Sequence, residues 1–150
     1  KVGCDCVFMG TSNGTRDDLV LRVTVPVTTL CPCSKEISDY GAHNQRGHVT
    51  LEVRPKPKGN GCELILIEDL IEIAEKSGSA PVYALLKRTD ERHVTMQAYD
   101  NPVFVEDVVR NAAALLLADR RVASFTVKAV NQESIHDHNA FAVISGKAQD

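Results

Sequence analysis

The run Leu19-Val20-Leu21-Arg22-Val23-Thr24-Val25 constrains the fold of this chain more than any other segment. Leu19, Leu21, Val23 and Val25 recur at period two, and successive side chains of a strand point to opposite faces. The segment therefore predicts a strand with one aliphatic face. Val2 to Met9 reads as a preceding strand, and Thr11-Ser12-Asn13-Gly14-Thr15 as the polar turn of a hairpin with a long loop. His48 to Val53 repeats the alternation through Val49, Leu51 and Val53. The stretch Pro55-Lys56-Pro57-Lys58-Gly59-Asn60-Gly61 then breaks it and reads as a mobile surface loop.

Downstream the period changes. Ile67, Leu70, Ile71 and Ala74 have helical spacing, with Lys76 and Gly78 near the expected stop. Asn101-Pro102 reads as the N-cap and first turn of a second helix, whose stripe is Val105, Val108, Val109, Ala112 and Leu116. Thr89-Asp90-Glu91-Arg92-His93 reads as a charged segment between the two helices. Phe125, Val127 and Ala129 mark another strand. In a last one, Phe141 and Val143 share a face opposite Ala142 and Ile144. This order predicts an α+β domain, an antiparallel sheet backed by two helices packed on one side.

The 150 residues, 43% hydrophobic and 25% charged, suffice for one domain with a real core. A net charge of -3 argues against a nonspecific nucleic-acid binder, and no apolar run approaches the length needed to span a bilayer. Neither nucleic acid nor membrane is expected as a partner. The start at Lys1, without Met or a signal pattern, reads as the interior of a longer protein. Five cysteines cannot all pair within one chain, so reduced thiols and a cytoplasmic location are expected, with Cys4, Cys6 and Cys62 in packing roles.

Chemistry concentrates in two places. Cys31-Pro32-Cys33-Ser34-Lys35 through His43-Asn44-Gln45-Arg46 crowds two thiols, an imidazole and cations together. Glu133-Ser134-Ile135-His136-Asp137-His138 forms a second cluster. Thiolate and imidazole both suit zinc or ferrous iron, although Cys-x-Cys is weak by itself and packed thiols explain it equally well. Lys35, Arg46 and His48 can hold phosphate, against the plainer reading of a solvated face. Gly41-Ala42 permits close backbone approach, and Asn44-Gln45 adds amide donors and acceptors.

Glu91 reads as a surface carboxylate that can also complete a mixed metal shell. Glu106, in the first turns of the second helix, can accept two hydrogen bonds from a guanidine-like ring edge; helix N-terminal charge complementarity favours an acid there as well. His136 and His138 share a face if their segment is extended, one ligating metal or moving protons. Glu133 can orient an imidazole or accept a bond from a ligand.

Val25-Pro26-Val27-Thr28-Thr29-Leu30-Cys31-Pro32-Cys33-Ser34-Lys35-Glu36-Ile37-Ser38 and Tyr40-Gly41-Ala42-His43-Asn44-Gln45-Arg46 resemble the type IB GTP cyclohydrolases. So do Leu85-Leu86-Lys87-Arg88, Asp90-Glu91, Asn101-Pro102, Phe104-Val105-Glu106-Asp107 and Glu133-Ser134-Ile135-His136. The resemblance covers nearly the whole chain, with Pro55 to Gly61 poorly matched. It implies a tunnelling fold that assembles into an oligomeric barrel, a homo-oligomer in the form of a tetramer built from dimers. It also implies that 1–150 is a C-terminal catalytic module with its linker, a related N-terminal module being absent.

The same resemblance implies a metal shell of Cys31, His43 and Glu91, with His136 as a further ligand or a proton-transfer residue. Cys31, His43 and His136 become the catalytic set, around a divalent zinc, manganese or iron cofactor, with no redox cofactor. Glu106 is expected to anchor the guanine edge, Lys35, Arg46 and His48 to contact the triphosphate, and Glu133 to assist in substrate binding. The implied reaction converts GTP and water to 7,8-dihydroneopterin triphosphate and formate, the first step of folate and pterin synthesis. The rivals are the related deazaguanine nitrile reductase, a noncatalytic nucleotide-binding module and a structural metal module with a closed ligand shell.

Overall fold

The computed structural model describes residues 4–12 and 17–147. The chain runs β1 (Asp5–Ser12), β2 (Asp17–Leu30), α1 (Pro32–Ile37), β3 (Asn44–Pro55), β4 (Pro57–Lys58), β5 (Gly61–Cys62), α2 (Ile67–Ser77), β6 (Ala80–Pro81), α3 (Arg88–Asp100), α4 (Val105–Ala118), β7 (Val122–Gln132) and β8 (Asn139–Lys147). The main sheet has the order β1-β2-β3-β7-β8, antiparallel throughout. β1 pairs β2 up to Thr24, and β6 takes the same edge further on, at Val27 and Thr28.

The alternation read from the sequence sorts the two faces. Val23, Val25, Val27, Val49, Leu51, Val53 and Val127 are sealed beneath Leu70 and Ala74 of α2 and Val108, Ala112 and Leu116 of α4. Each such aliphatic burial stabilises the fold by about 1.5–3 kcal/mol, so two amphipathic helices on one face suffice to define the core. The opposite face carries cross-strand polar pairs. Arg22 Nη2 meets Glu52 Oε2 at 2.5 Å, and the Thr24 and Thr50 hydroxyls lie 3.0 Å apart. Phe141 and Val143 are exposed on β8, while Ala142 and Ile144 pack towards the core. The expected α+β architecture is therefore the observed one. All five cysteines are thiols rather than disulfides.

Several local expectations need correction. β1 continues past Met9 to Ser12 and takes in part of the expected turn; Val2, Gly3 and Asn13-Gly14-Thr15 lie outside the described residues. The Pro55–Gly61 segment is not wholly irregular, because Pro57↔Cys62 and Lys58↔Gly61 form a small hairpin with Gly59 at φ 58°. The charged segment Thr89–His93 belongs to α3, a helix of 13 residues in which only Ala98 is buried.

Asn101-Pro102 does not start α4. Asn101 ends α3, its backbone N–H donating to Gln97 O at 3.1 Å, and its amide donates to Gly78 O at 3.0 Å. α4 begins three residues later behind Phe104. Its start lacks a capping side chain at the N-cap. Instead Asp107, in the first turn, accepts the Phe104 N–H at 3.1 Å. Asp69 does the same for Leu66 (3.3 Å) and Asp90 for Lys87 (3.1 Å). This is half of a reciprocal capping pair, and it leaves no Ser, Thr, Asn or Asp at the N-cap for a sequence reader to find. No helix among the described residues is long and apolar enough to cross a membrane.

Candidate functional site

Register explains how Cys31 and His43 meet. β2 ends and β3 begins at the paired residues Leu30 and Asn44, so the connection between them must close on itself. The next residues outward are Cys31 and His43, and Cys31 N–H donates to His43 O at 3.1 Å. Inside the loop, Pro32 opens α1 with Cys31 as its N-cap, and Cys31 Sγ accepts the Ser34 N–H at 3.4 Å. The Ser34 hydroxyl donates to Cys31 O (3.1 Å) and accepts the His43 N–H (3.2 Å). Ser34 thus fastens the thiol-bearing and imidazole-bearing residues to one turn. Its signal in the sequence is the Pro-x-Ser immediately after the cysteine, with proline suited to the first position of a helix.

Gly41 in this loop has φ 121°, a conformation open to glycine alone at little cost, and a Cβ there would meet nothing within 4 Å. Within the chain it supplies backbone freedom.

The second cluster arrives by the same logic. Arg46 pairs with Gln132 at the end of β7, so the β7–β8 connection emerges beside the start of β3. Ser134 Oγ lies 3.1 Å from His43 Nδ1, Gln45 Oε1 lies 2.9 Å from the same nitrogen, and Gln45 Nε2 donates to Glu133 Oε1 at 3.5 Å. Cys31, His43, Gln45 and Glu133, widely separated in sequence, form one polar corner at the end of the sheet.

Other expected residues have neighbours of their own. His136 stacks on His138 with ring centroids 5.1 Å apart, in a bent rather than extended segment. Glu91 is on the exposed side of α3, paired with Arg88 at 2.8 Å. Among the described residues, no three His, Cys, Asp or Glu side chains of the single chain come together as a metal-binding group. A thiol and an imidazole carried by residues that one turn joins have the chemistry to supply two donors of a mixed S/N/O shell.

The expected substrate contacts are distributed as well. Lys35 Nζ donates to Tyr99 O at 2.5 Å and sits 4.2 Å from the centre of the Tyr99 ring, which ties α1 to the end of α3. Arg46 and His48 project from the sheet face opposite the helices, Arg46 exposed and His48 half-buried. Glu106 is exposed in the first turn of α4. That turn is held to the site, because Val103 N–H donates to Leu30 O at 3.1 Å, next to Cys31. A surface depression of about 440 Å³ is lined by Glu52, Arg54, Phe125 and Lys147, at the end of the sheet remote from His43.

Residues 3–142 match the family model described as type I GTP cyclohydrolase folE2. The chain is 52% identical over 137 residues to GTP cyclohydrolase FolE2 of Nitrosococcus oceani, covering 91% of this chain and 49% of that protein. It is 56% identical to the Citrifermentans bemidjiense FolE2 (93% and 49% covered) and 53% identical to that of Geobacter sulfurreducens (93% and 51%). The chain spans about half the length of the curated relatives it matches.

Proposed function

Because the chain belongs to the FolE2 family of type I GTP cyclohydrolases, we propose that it is the C-terminal catalytic module of such an enzyme, of the IB type, acting in the cytoplasm. The reaction is hydrolysis of GTP to 7,8-dihydroneopterin triphosphate and formate, which opens folate and pterin synthesis. The observation that carries this reading is the turn that joins Cys31 to His43, with Glu133 and Ser134 delivered beside it. The matched length, about half of each relative, is what one of two related modules would cover.

Cys31 and His43 would hold a divalent zinc, manganese or iron ion, with Glu91 and His136 completing the shell or, for His136, moving a proton at the purine. The ion, when bound, supplies Lewis acidity and a water made acidic enough to attack carbon near neutral pH. Glu106 holds the guanine edge through paired hydrogen bonds, and Lys35, Arg46 and His48 receive the triphosphate. Glu133 keeps the imidazole corner polar and oriented towards the ligand.

Glu91 would reach the Cys31 and His43 site from a second copy of the chain, since its own chain shows no such cluster among the described residues. The enzyme is proposed to work as a homo-oligomer, a tetramer built from dimers, and three features support association of copies: the single buried residue of α3, the exposure of Leu85 (89%) just ahead of it, and that of Phe141 (70%) on β8. An obligate interface covers surface of this kind. The test uses the full-length protein, stripped of metal and reconstituted separately with zinc, manganese and iron. Pterin fluorescence after oxidation, with equimolar formate, is expected from GTP. Bound GTP without formate in every metal form overturns the reading, and nicotinamide oxidation with a deazaguanine nitrile transfers it to the reductase.

A further inference from the structure

We propose that Gln45 is a positioning residue that sets the tautomer of His43, and that Glu133 decides which end of the Gln45 amide faces the ring. The inference deepens the reading of His43 as a metal ligand and rests on it. Gln45 is 8% exposed at the start of β3, so its amide is confined to the partners around it. On one side stands Glu133 Oε1, 3.5 Å from Nε2. An ionised carboxylate only accepts hydrogen bonds, so the NH₂ end of the amide must face it. The carbonyl end then faces His43 Nδ1, 2.9 Å away.

A carbonyl oxygen also only accepts, so Nδ1 carries the proton and Nε2 keeps its lone pair. That is the nitrogen left free to bind a cation. The reversed amide would set oxygen against carboxylate oxygen and forfeit the bond to Glu133, so the carboxylate selects against the arrangement in which the amide NH₂ donates to an unprotonated Nδ1. The Ser134 hydroxyl, 3.1 Å from Nδ1, donates or accepts as required and therefore follows the tautomer without choosing it.

The test is ¹⁵N spectroscopy of histidine-labelled, metal-free protein at alkaline pH, with His43 assigned by its loss in His43→Ala. Wild type is expected to show a protonated Nδ1 and an unprotonated Nε2. Gln45→Met, which has no carbonyl, shifts His43 towards the Nε2–H form and lowers zinc affinity about 10–100-fold. Gln45→Glu retains an acceptor and restores both readouts. Glu133→Gln releases the amide to flip and gives a mixture, whereas Ser134→Ala leaves the tautomer as in wild type.

Retention of the Nδ1–H form in Gln45→Met overturns the proposal, and its full retention in Glu133→Gln overturns the role of Glu133. A tautomer shift in Gln45→Met, with zinc affinity unchanged both there and in His43→Ala, upholds the positioning and removes His43 from the metal shell.

Discussion

Gly146 and Phe125 face each other across the β7–β8 pair, where a Cβ on the glycine would come within 2.5 Å of the ring. Gly146→Ala is expected to cost about 1–3 kcal/mol in urea unfolding, as overpacking does, while Gly10→Ala, with nothing within 4 Å, changes stability by less than about 0.5 kcal/mol. At the site, Cys31→Ala should abolish metal retention, measured as ion content after gel filtration. If Glu106 anchors the guanine edge as proposed, Glu106→Gln is expected to lower kcat/KM for GTP about 10–100-fold, through loss of one charged hydrogen bond. Wild-type turnover in both variants would dismiss those two roles. The identity of these residues was legible, since thiol, imidazole and carboxylate advertise their chemistry. The parts played by Ser34 and Gln45 were not, because a hydroxyl or amide has no role until its neighbours are known.

At the level of elements, Arg121 locks the α4–β7 corner to α2. It forks onto Asp119 (Nη2–Oδ2 2.7 Å, Nε–Oδ1 3.0 Å) and reaches Asp69 Oδ2 at 2.8 Å. Arg121→Ala should therefore lower stability by about 1–2 kcal/mol, a modest figure because the guanidinium is partly solvated. Hydrogen bonding from Arg121 holds the Asp119 carboxyl below its ordinary value of 3.8, and burial opposes this only in part. A lowered folded pKa means that this contribution is complete above the unfolded value and fades as pH falls through the folded one, below about 3.8. Asp119→Asn is expected to reduce stability near neutral pH and to flatten the acid-side decline, as followed by unfolding midpoints. The helical stripes of α2 and α4 were visible at this scale because periodicity is local. The start of α4 was misplaced because its capping acid, Asp107, lies inside the helix and the N-cap itself is Phe104.

For the whole molecule, the prediction concerns copies. If Glu91 of one chain completes the Cys31 and His43 site of another, Cys31→Ala and Glu91→Ala chains should each lose bound metal. Mixed and reassembled, they should regain a measurable fraction of it, because some sites then receive an intact thiol and an intact carboxylate. No recovery, in mixtures shown by mass to contain both variants, argues for a site built within one chain. The exposure of α3 is the feature that makes this question physical: a helix with one buried residue gains little packing from its own domain.

The sequence by itself determined the sheet, its buried face and the two helices that cover it, since period two and period 3.6 are set by neighbours along the chain. It also displayed the thiol, imidazole and carboxylate side chains on which the proposed site rests. Only the tertiary structure decided that Leu30 pairs with Asn44, which joins Cys31 to His43, and that Arg46 pairs with Gln132, which brings Glu133 to Gln45 and Ser134 to His43. It alone placed Glu91 on a separate helix and turned Asn101 into the end of one helix rather than the beginning of the next. Register and helix packing are settled by contacts between residues distant in sequence, which no local pattern encodes.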